Sequence, residues 1–230
     1  MKKEFKIIAH RGASGYEFEN SMSAFKRAVK LKADMIETDV QRTKDNILVL
    51  SHNNNLYHAT KNRKFISRLN YNELEKFKLR NGDSILTVEE LLNEFNGKIQ
   101  FNLEIKAQNI EEILLKMIKR YDLLNEVIFS NFSFQSLMKI RRIEFKARIA
   151  FLTIFPYRIL QLGYPFRKLV SLGVEAINPK YNILTNGFIE NAQKFNLKIY
   201  PFTVNNKEKI LDLRKKGING IFTDYPDILA

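Results

Sequence analysis

The feature that most limits what this chain can fold into is a regular alternation of short β-prone runs with amphipathic helical segments. The first run covers residues 6–9. A helix over 21–32 follows, with Met22, Phe25 and Val29 at helical spacing and Asn20 or Ser21 as its cap. Residues 35–40 read as a second strand, Thr43-Lys44-Asp45-Asn46 as a turn, and 47–51 as a return strand. An excursion over about 54–97 contains two helical stretches, 71–77 and 87–95. Beyond it, strands are expected at 99–106, 127–131, 148–152, 174–178, 197–203 and 220–223, with helices between them and Gly217 stopping the last one. With the return strand set aside, the count is eight. Strands that alternate with helices run parallel. Eight such units in 230 residues predict an α/β (β/α)8 TIM barrel. Residues 1–230 would form a single domain, with a β-hairpin and a short helical insertion after strand two. A doubly wound open sheet has the same pattern and stays open as the alternative.

In a barrel of this kind chemistry sits at the C-terminal ends of the strands. His10 follows strand one, Glu37 and Asp39 lie on strand two, and Glu104 and Lys106 lie on the strand at 99–106. Side chains alternate along a strand, so Glu37 and Asp39 share a face. On the strand at 99–106, Gln100, Asn102, Glu104 and Lys106 share the face expected to look inward, and Phe101, Leu103 and Ile105 the face expected to pack on helices. If Thr43 lies opposite Asn46, hairpin partners sum to 89 and His52 is delivered beside Glu37. An imidazole beside paired carboxylates suits metal-assisted proton transfer. Glu37, Asp39 and Glu104 offer the all-oxygen donors of a hard cation. The same acids can equally serve as structural partners of Arg11 and Lys106, and spacing does not separate the two readings.

The chain has no cysteine, which excludes thiol catalysis and fits a reducing compartment. Behind the basic residues at 2–6 the apolar run Ile7-Ile8-Ala9 is too short for a signal-peptide core, and no run reaches the length of a membrane span, so a cytoplasmic protein is expected. The formal charge of +13 favours anionic partners or simply a soluble surface. The basic residues are scattered at helical spacings rather than gathered in a stripe, and no nucleic-acid recognition motif is present.

His10-Arg11-Gly12, Glu19-Asn20-Ser21, Glu37-Thr38-Asp39, His52-Asn53, Leu86-Thr87-Val88-Glu89-Glu90, Glu104-Ile105-Lys106, Asn178-Pro179, Phe202-Thr203-Val204-Asn205 and the run from Gly217 to Asp227 occur in this order. The ordered set resembles the glycerophosphodiester phosphodiesterase family and spans essentially the whole chain. The resemblance implies a TIM barrel that hydrolyses glycerophosphodiesters to glycerol 3-phosphate and an alcohol. It implies one divalent cation, Mg²⁺ or Ca²⁺, on Glu37, Asp39 and Glu104, with His10 and His52 as the general acid–base pair. Arg11 and Lys106 would contact the phosphate, as a bidentate fork and a point charge. Phe202 stands where the family often has tryptophan and would wall the glycerol or simply pack. Glu19 and Asn20 would brace the loop after strand one, and Asp224 would orient His10 or seal the barrel. His58 carries no motif.

Asn53 and Asn219 depart from the family's usual aspartates. Loss of a carboxylate beside His52 would lower its proton affinity. The segment 151–168 mixes aromatic, aliphatic and basic residues, which suits either a packed lid or contact with an anionic membrane. Membrane contact would go with a lysophospholipase D activity. The alternative from another class is a non-catalytic basic module that binds nucleic acid or membrane.

Overall fold

The computed structural model describes residues 5–154 and 164–230. Its strands are β1 (Lys6–Ala9), β2 (Met35–Arg42), β3 (Leu48–Leu50), β4 (Gln100–Ile105), β5 (Val127–Asn131), β6 (Arg148–Thr153), β7 (Ala176–Pro179), β8 (Lys198–Ile199) and β9 (Gly220–Thr223). All but β3 are parallel, in the order β8-β7-β6-β5-β4-β2-β1-β9. The two ends of that row meet. Asn219 N–H donates to Ile199 O at 3.1 Å, Phe222 N–H to Pro201 O at 2.9 Å, and Val204 N–H to Phe222 O at 2.8 Å. The sheet is therefore a nearly closed (β/α)8 barrel and not a doubly wound open sheet.

Two apolar layers follow from side-chain alternation. Phe101, Leu103 and Ile105 face outward into the large core shared with the helices, beside Phe25, Leu114 and Leu137. Ile8, Met35, Ile128, Ala150, Ala176, Tyr200 and Phe222 fill the barrel interior. Full burial of each such Leu, Ile or Phe contributes about 1.5–3 kcal/mol. Helix starts use the expected chemistry. Ser21 accepts from Ala24 N–H at 3.1 Å to cap Met22–Lys30, and Thr87 with Glu90 forms a capping box on Val88–Phe95.

Several boundaries differ from expectation for identifiable reasons. The strand expected over 197–203 keeps ladder geometry only at β8, because Pro201 has no N–H to give. The stretch over 71–77 is one turn, Tyr71–Leu74. The insertion also contains a short helix at Tyr57–Thr60 and a 3-10 turn at Ile66–Arg68, around a satellite core of Val49, Leu56, Ile66, Leu69 and Leu74.

The hairpin register is shifted by one. Val40 pairs with Leu50 and Arg42 with Leu48, so partners sum to 90 rather than 89. The loop holds one residue more than expected. Asn46 N–H donates to Thr43 O at 3.1 Å, Thr43 N–H to Ile47 O at 3.0 Å, and Asn46 takes the left-handed conformation at φ +66°. That is a type I turn closed by a left-handed residue, a conformation asparagine tolerates. Glu37 and His52 are consequently not direct partners.

In the segment 151–168, residues 155–163 lie outside those described, and the membrane-contact expectation falls largely on them. Phe166 is fully buried and packs on Phe188 and Phe195 at 5.6 and 5.9 Å between ring centroids. Among the described residues, no helix is long and apolar enough to cross a membrane.

Candidate active site

The chain leaves β1 through a tight turn that arms the barrel mouth. Arg11 and Gly12 both take positive φ, +55° and +83°. A Cβ on Gly12 would lie 2.8 Å from the backbone carbon of Ala24, so only glycine fits there. The turn aims the Arg11 backbone N–H at Glu37 Oε2, 2.8 Å away. It also leaves the His10 ring 2.7 Å from Asp224 Oδ1, through Nδ1. Asp224 accepts in addition from Ser14 Oγ at 2.9 Å and from the Asn205 amide. A carboxylate only accepts, so the proton sits on Nδ1 and Nε2 is the atom left for chemistry.

Glu37 and Asp39, two residues apart on β2, point into the barrel beside Glu104 of β4, since Asp39 and Glu104 are register partners. One carboxylate oxygen from each of the three lies within 4.8 Å of the other two, and all three residues are buried. Asn20, at φ +55°, donates from Nδ2 to Asp39 Oδ2 at 3.0 Å and accepts from Thr38 Oγ1 at 2.7 Å. The Arg11 guanidinium lies 2.6 Å from Glu19 Oε2 and 3.2 Å from Asp39 Oδ2. Lys106 Nζ lies 3.3 Å from Asp39 Oδ1 and 2.5 Å from Glu104 Oε1. Glu19 is also 3.6 Å from His58 Nδ1. The two readings left open by the sequence thus meet in one place, where the acids are both clustered and ion-paired.

The electrostatics of the cluster are strained. Burial, with the charge of Asp39 and then that of Glu104, pushes the Glu37 carboxyl up to about 8 against the opposing pull of His10 and Arg11. Glu104 is also raised, by burial and by Asp39, although Lys106 opposes this. Burial works against the charge of Asp39 too, but Arg11, Lys106, His52 and the Asn20 amide hold it below the usual carboxylate range. Two fixed cations do not support three buried carboxylates in their charged forms, and Glu37 is pushed toward its neutral form. The donor set is all oxygen, the arrangement a hard divalent cation relieves. The residues fit such an ion, and Glu37, Asp39 and Glu104 are the ones that would hold it.

The two imidazoles diverge. Burial disfavours the charged ring of His10, but the hydrogen bond to Asp224 and the charge of Glu37 outweigh it and raise its pKa. For His52 burial dominates. Arg11 and Lys106 add to it, Asp39 opposes it, and the pKa falls. Its Nδ1 lies 3.1 Å from Asn53 Oδ1. The same hairpin register has Ser51 N–H donating to Asp39 O at 3.0 Å, and Asp39 is the acid that acts most on His52.

These groups open onto a cleft of about 350 Å³ at the C-terminal end of the barrel. His10, Arg11, Glu37, His52, Glu104 and Lys106 line one part of it, and Phe132, Lys180, Tyr181 and Phe202 another. Phe132, Lys180 and Tyr181 were not singled out by the sequence. The inward register of β5 (Ile128, Ser130) and β7 (Ala176, Asn178) runs on to Phe132 and Lys180, which is the signal that could have found them. Asn219 lies away from this end and accepts from Ile199 N–H at 3.0 Å, joining β8 to β9.

The Glycerophosphoryl diester phosphodiesterase family profile matches residues 10–228. A glycerophosphodiester phosphodiesterase of Caldanaerobacter subterraneus subsp. tengcongensis is 32% identical over 238 residues, covering 97% of this chain and 95% of its own. The crystal structure of a Thermotoga maritima glycerophosphodiester phosphodiesterase superposes with a TM-score of 0.85 at 23% identity, covering 100% of this chain and 98% of that one. An Oleispira antarctica phosphodiesterase, solved in complex with the product sn-glycerol-3-phosphate, superposes with a TM-score of 0.85 at 21% identity, covering 96% of this chain and 94% of its own.

Proposed function

The chain belongs to the glycerophosphoryl diester phosphodiesterase family and is an enzyme, a phosphoric diester hydrolase; from that premise we propose that it cleaves glycerophosphodiesters to glycerol 3-phosphate and an alcohol, using one divalent cation, Mg²⁺ or Ca²⁺, and two histidines. The observation that carries the proposal is the buried cluster of Glu37, Asp39 and Glu104 beside two imidazoles whose pKa values are pushed in opposite directions. Groups pushed apart in this way mark acid and base.

His10, whose pKa the hydrogen bond to Asp224 helps to raise, is the general acid, and His52, whose pKa burial lowers, is the general base. Arg11 and Lys106 bind the phosphoryl oxygens, released in part from the acids they now face. A cation on the three carboxylates supplies Lewis-acid neutralisation of charge on the phosphoryl group. His52 takes the proton of the attacking hydroxyl, from water or from the adjacent glycerol hydroxyl, as its oxygen bonds to phosphorus. The bond to the leaving oxygen breaks, and His10 Nε2 protonates that oxygen to give the alcohol. Attack by the glycerol hydroxyl gives a cyclic phosphate, which water then opens. Phe202 walls the glycerol. Asn20 positions Asp39, and Glu19 positions Arg11.

Residues 1–230 act as one domain in this reading, and the absence of cysteine supports a cytoplasmic location. The test is to incubate purified protein and divalent cation with glycerophosphoglycerol and glycerophosphocholine and to assay glycerol 3-phosphate. Its release supports the proposal, and intact diesters would refute it.

The assignment of His10 makes a pH prediction. Asp224 raises the His10 pKa, so Asp224→Asn lets burial dominate and lowers it. The active form is the protonated one. The alkaline limb of the kcat profile should therefore move to lower pH, with kcat near pH 8 falling roughly 10–10²-fold and recovering in part on acidification. An unmoved alkaline limb would contradict the role.

A further inference from the structure

The wall of the cleft formed by the ends of β5 to β9 holds both buried and exposed residues. Phe222 and Leu152 are 2% and 5% exposed and form the recess with Phe202. Phe132 and Tyr181 are 41% and 40% exposed and form an open rim, and Lys180, also exposed, is the backbone bridge partner of Phe202. A phosphodiester centred on Arg11 and Lys106 has two substituents. The recess takes the glycerol, and the open rim receives the departing alcohol. This assignment rests on the activity proposed above.

The ring order puts β7 across the barrel from β2, so Lys180 rises opposite the acid cluster. No carboxylate among the described residues pairs with it. The acids that line the cleft, Glu37 and Glu104, belong to the proposed cation site. One ring of the aromatic rim already has a cation near it. Lys106 Nζ already lies over the Phe132 ring, 5.9 Å from its centroid, and a second cation on that ring would meet the first. The geometry points to Lys180 as the residue that sets leaving-group selectivity: the enzyme takes glycerophosphodiesters whose departing alcohol is an uncharged polyol, and discriminates against quaternary ammonium alcohols. Lys180 Nζ donates to the polyol hydroxyls, while Phe132 and Tyr181 flank its carbon skeleton. A cationic head group gains none of these hydrogen bonds and meets the lysine charge at the rim, a repulsion that is strongest at low ionic strength.

The test compares kcat/KM for glycerophosphoglycerol and glycerophosphocholine in the wild type and in Lys180→Arg, Lys180→Gln and Lys180→Glu, at low and high ionic strength. The wild type should favour glycerophosphoglycerol roughly tenfold or more at low salt. Lys180→Glu should move the ratio toward choline by roughly tenfold or more, with Lys180→Gln between and Lys180→Arg near the wild type. The spread should narrow as salt screens the rim charge. Hydrolysis with the same ratio in Lys180→Glu as in the wild type, or a wild-type preference for the choline diester, would overturn the inference and leave the proposed activity standing. A wild-type protein inert on both diesters would overturn the two together.

Discussion

Replacing His10 or His52 with alanine is expected to lower kcat by roughly 10²–10⁴-fold, the range that positioned acid–base groups contribute. The fold should survive either change. Both imidazoles stand beyond the ends of their strands and outside the apolar cores, and what each loses is a hydrogen bond to Asp224 or Asn53. Circular dichroism and a thermal melt would check that point beside the rate. The two variants should differ in their pH profiles. His52→Ala removes the acidic limb, where the base becomes protonated, and His10→Ala removes the alkaline limb, where the acid loses its proton. Near-normal turnover in either variant would remove the acid–base assignment.

The second large effect concerns the acids. Glu104→Gln is expected to lower activity by roughly 10²–10⁴-fold, since several kcal/mol of transition-state stabilisation go with the cation. It should also weaken Mg²⁺ or Ca²⁺ binding measured by calorimetry. Its effect on stability separates the two readings the sequence left open. If the acids were only structural partners of Arg11 and Lys106, removal of one from a buried pair would cost about 3–5 kcal/mol. If they form a cation site, the chelator-treated protein already carries repulsion. Burial and Asp39 raise the Glu104 pKa in spite of Lys106, so its charge is disfavoured in the fold. The metal-free Glu104→Gln protein should then melt no lower than the metal-free wild type. Glu37 is the more strained of the two, with its carboxyl at about 8, and Glu37→Gln should behave in the same way.

Much of this site could be read in the sequence because strand periodicity is rigid. Alternation along β4 separates Phe101, Leu103 and Ile105 from Asn102 and Glu104, and the structure divides them that way. The same period puts Glu37 and Asp39 on one face. What could not be read depends on single backbone conformations. The left-handed Asn46 adds a residue to the hairpin loop and shifts its register, so Glu37 and His52 are not the direct partners that a two-residue loop would make them. The left-handed Arg11 turns its own N–H onto Glu37, a contact between a backbone and an acid far apart in sequence. Ring closure depends on hydrogen bonds around Pro201, where strand propensity predicts a longer ladder than a residue without an N–H can make. Phe132 and Lys180 lie just past their strand ends, and spacing cannot say how far beyond the last ladder bond the inward register continues.

If Glu37, Asp39 and Glu104 gather one cation beside the scissile phosphodiester, turnover depends on that ion. The most direct measurement is glycerol 3-phosphate release by chelator-stripped protein, before and after a divalent cation is returned. A rate near zero is expected in the stripped protein, with recovery on Mg²⁺ or Ca²⁺ at one ion per chain. Full activity in the stripped protein, with no response to either ion, would contradict it.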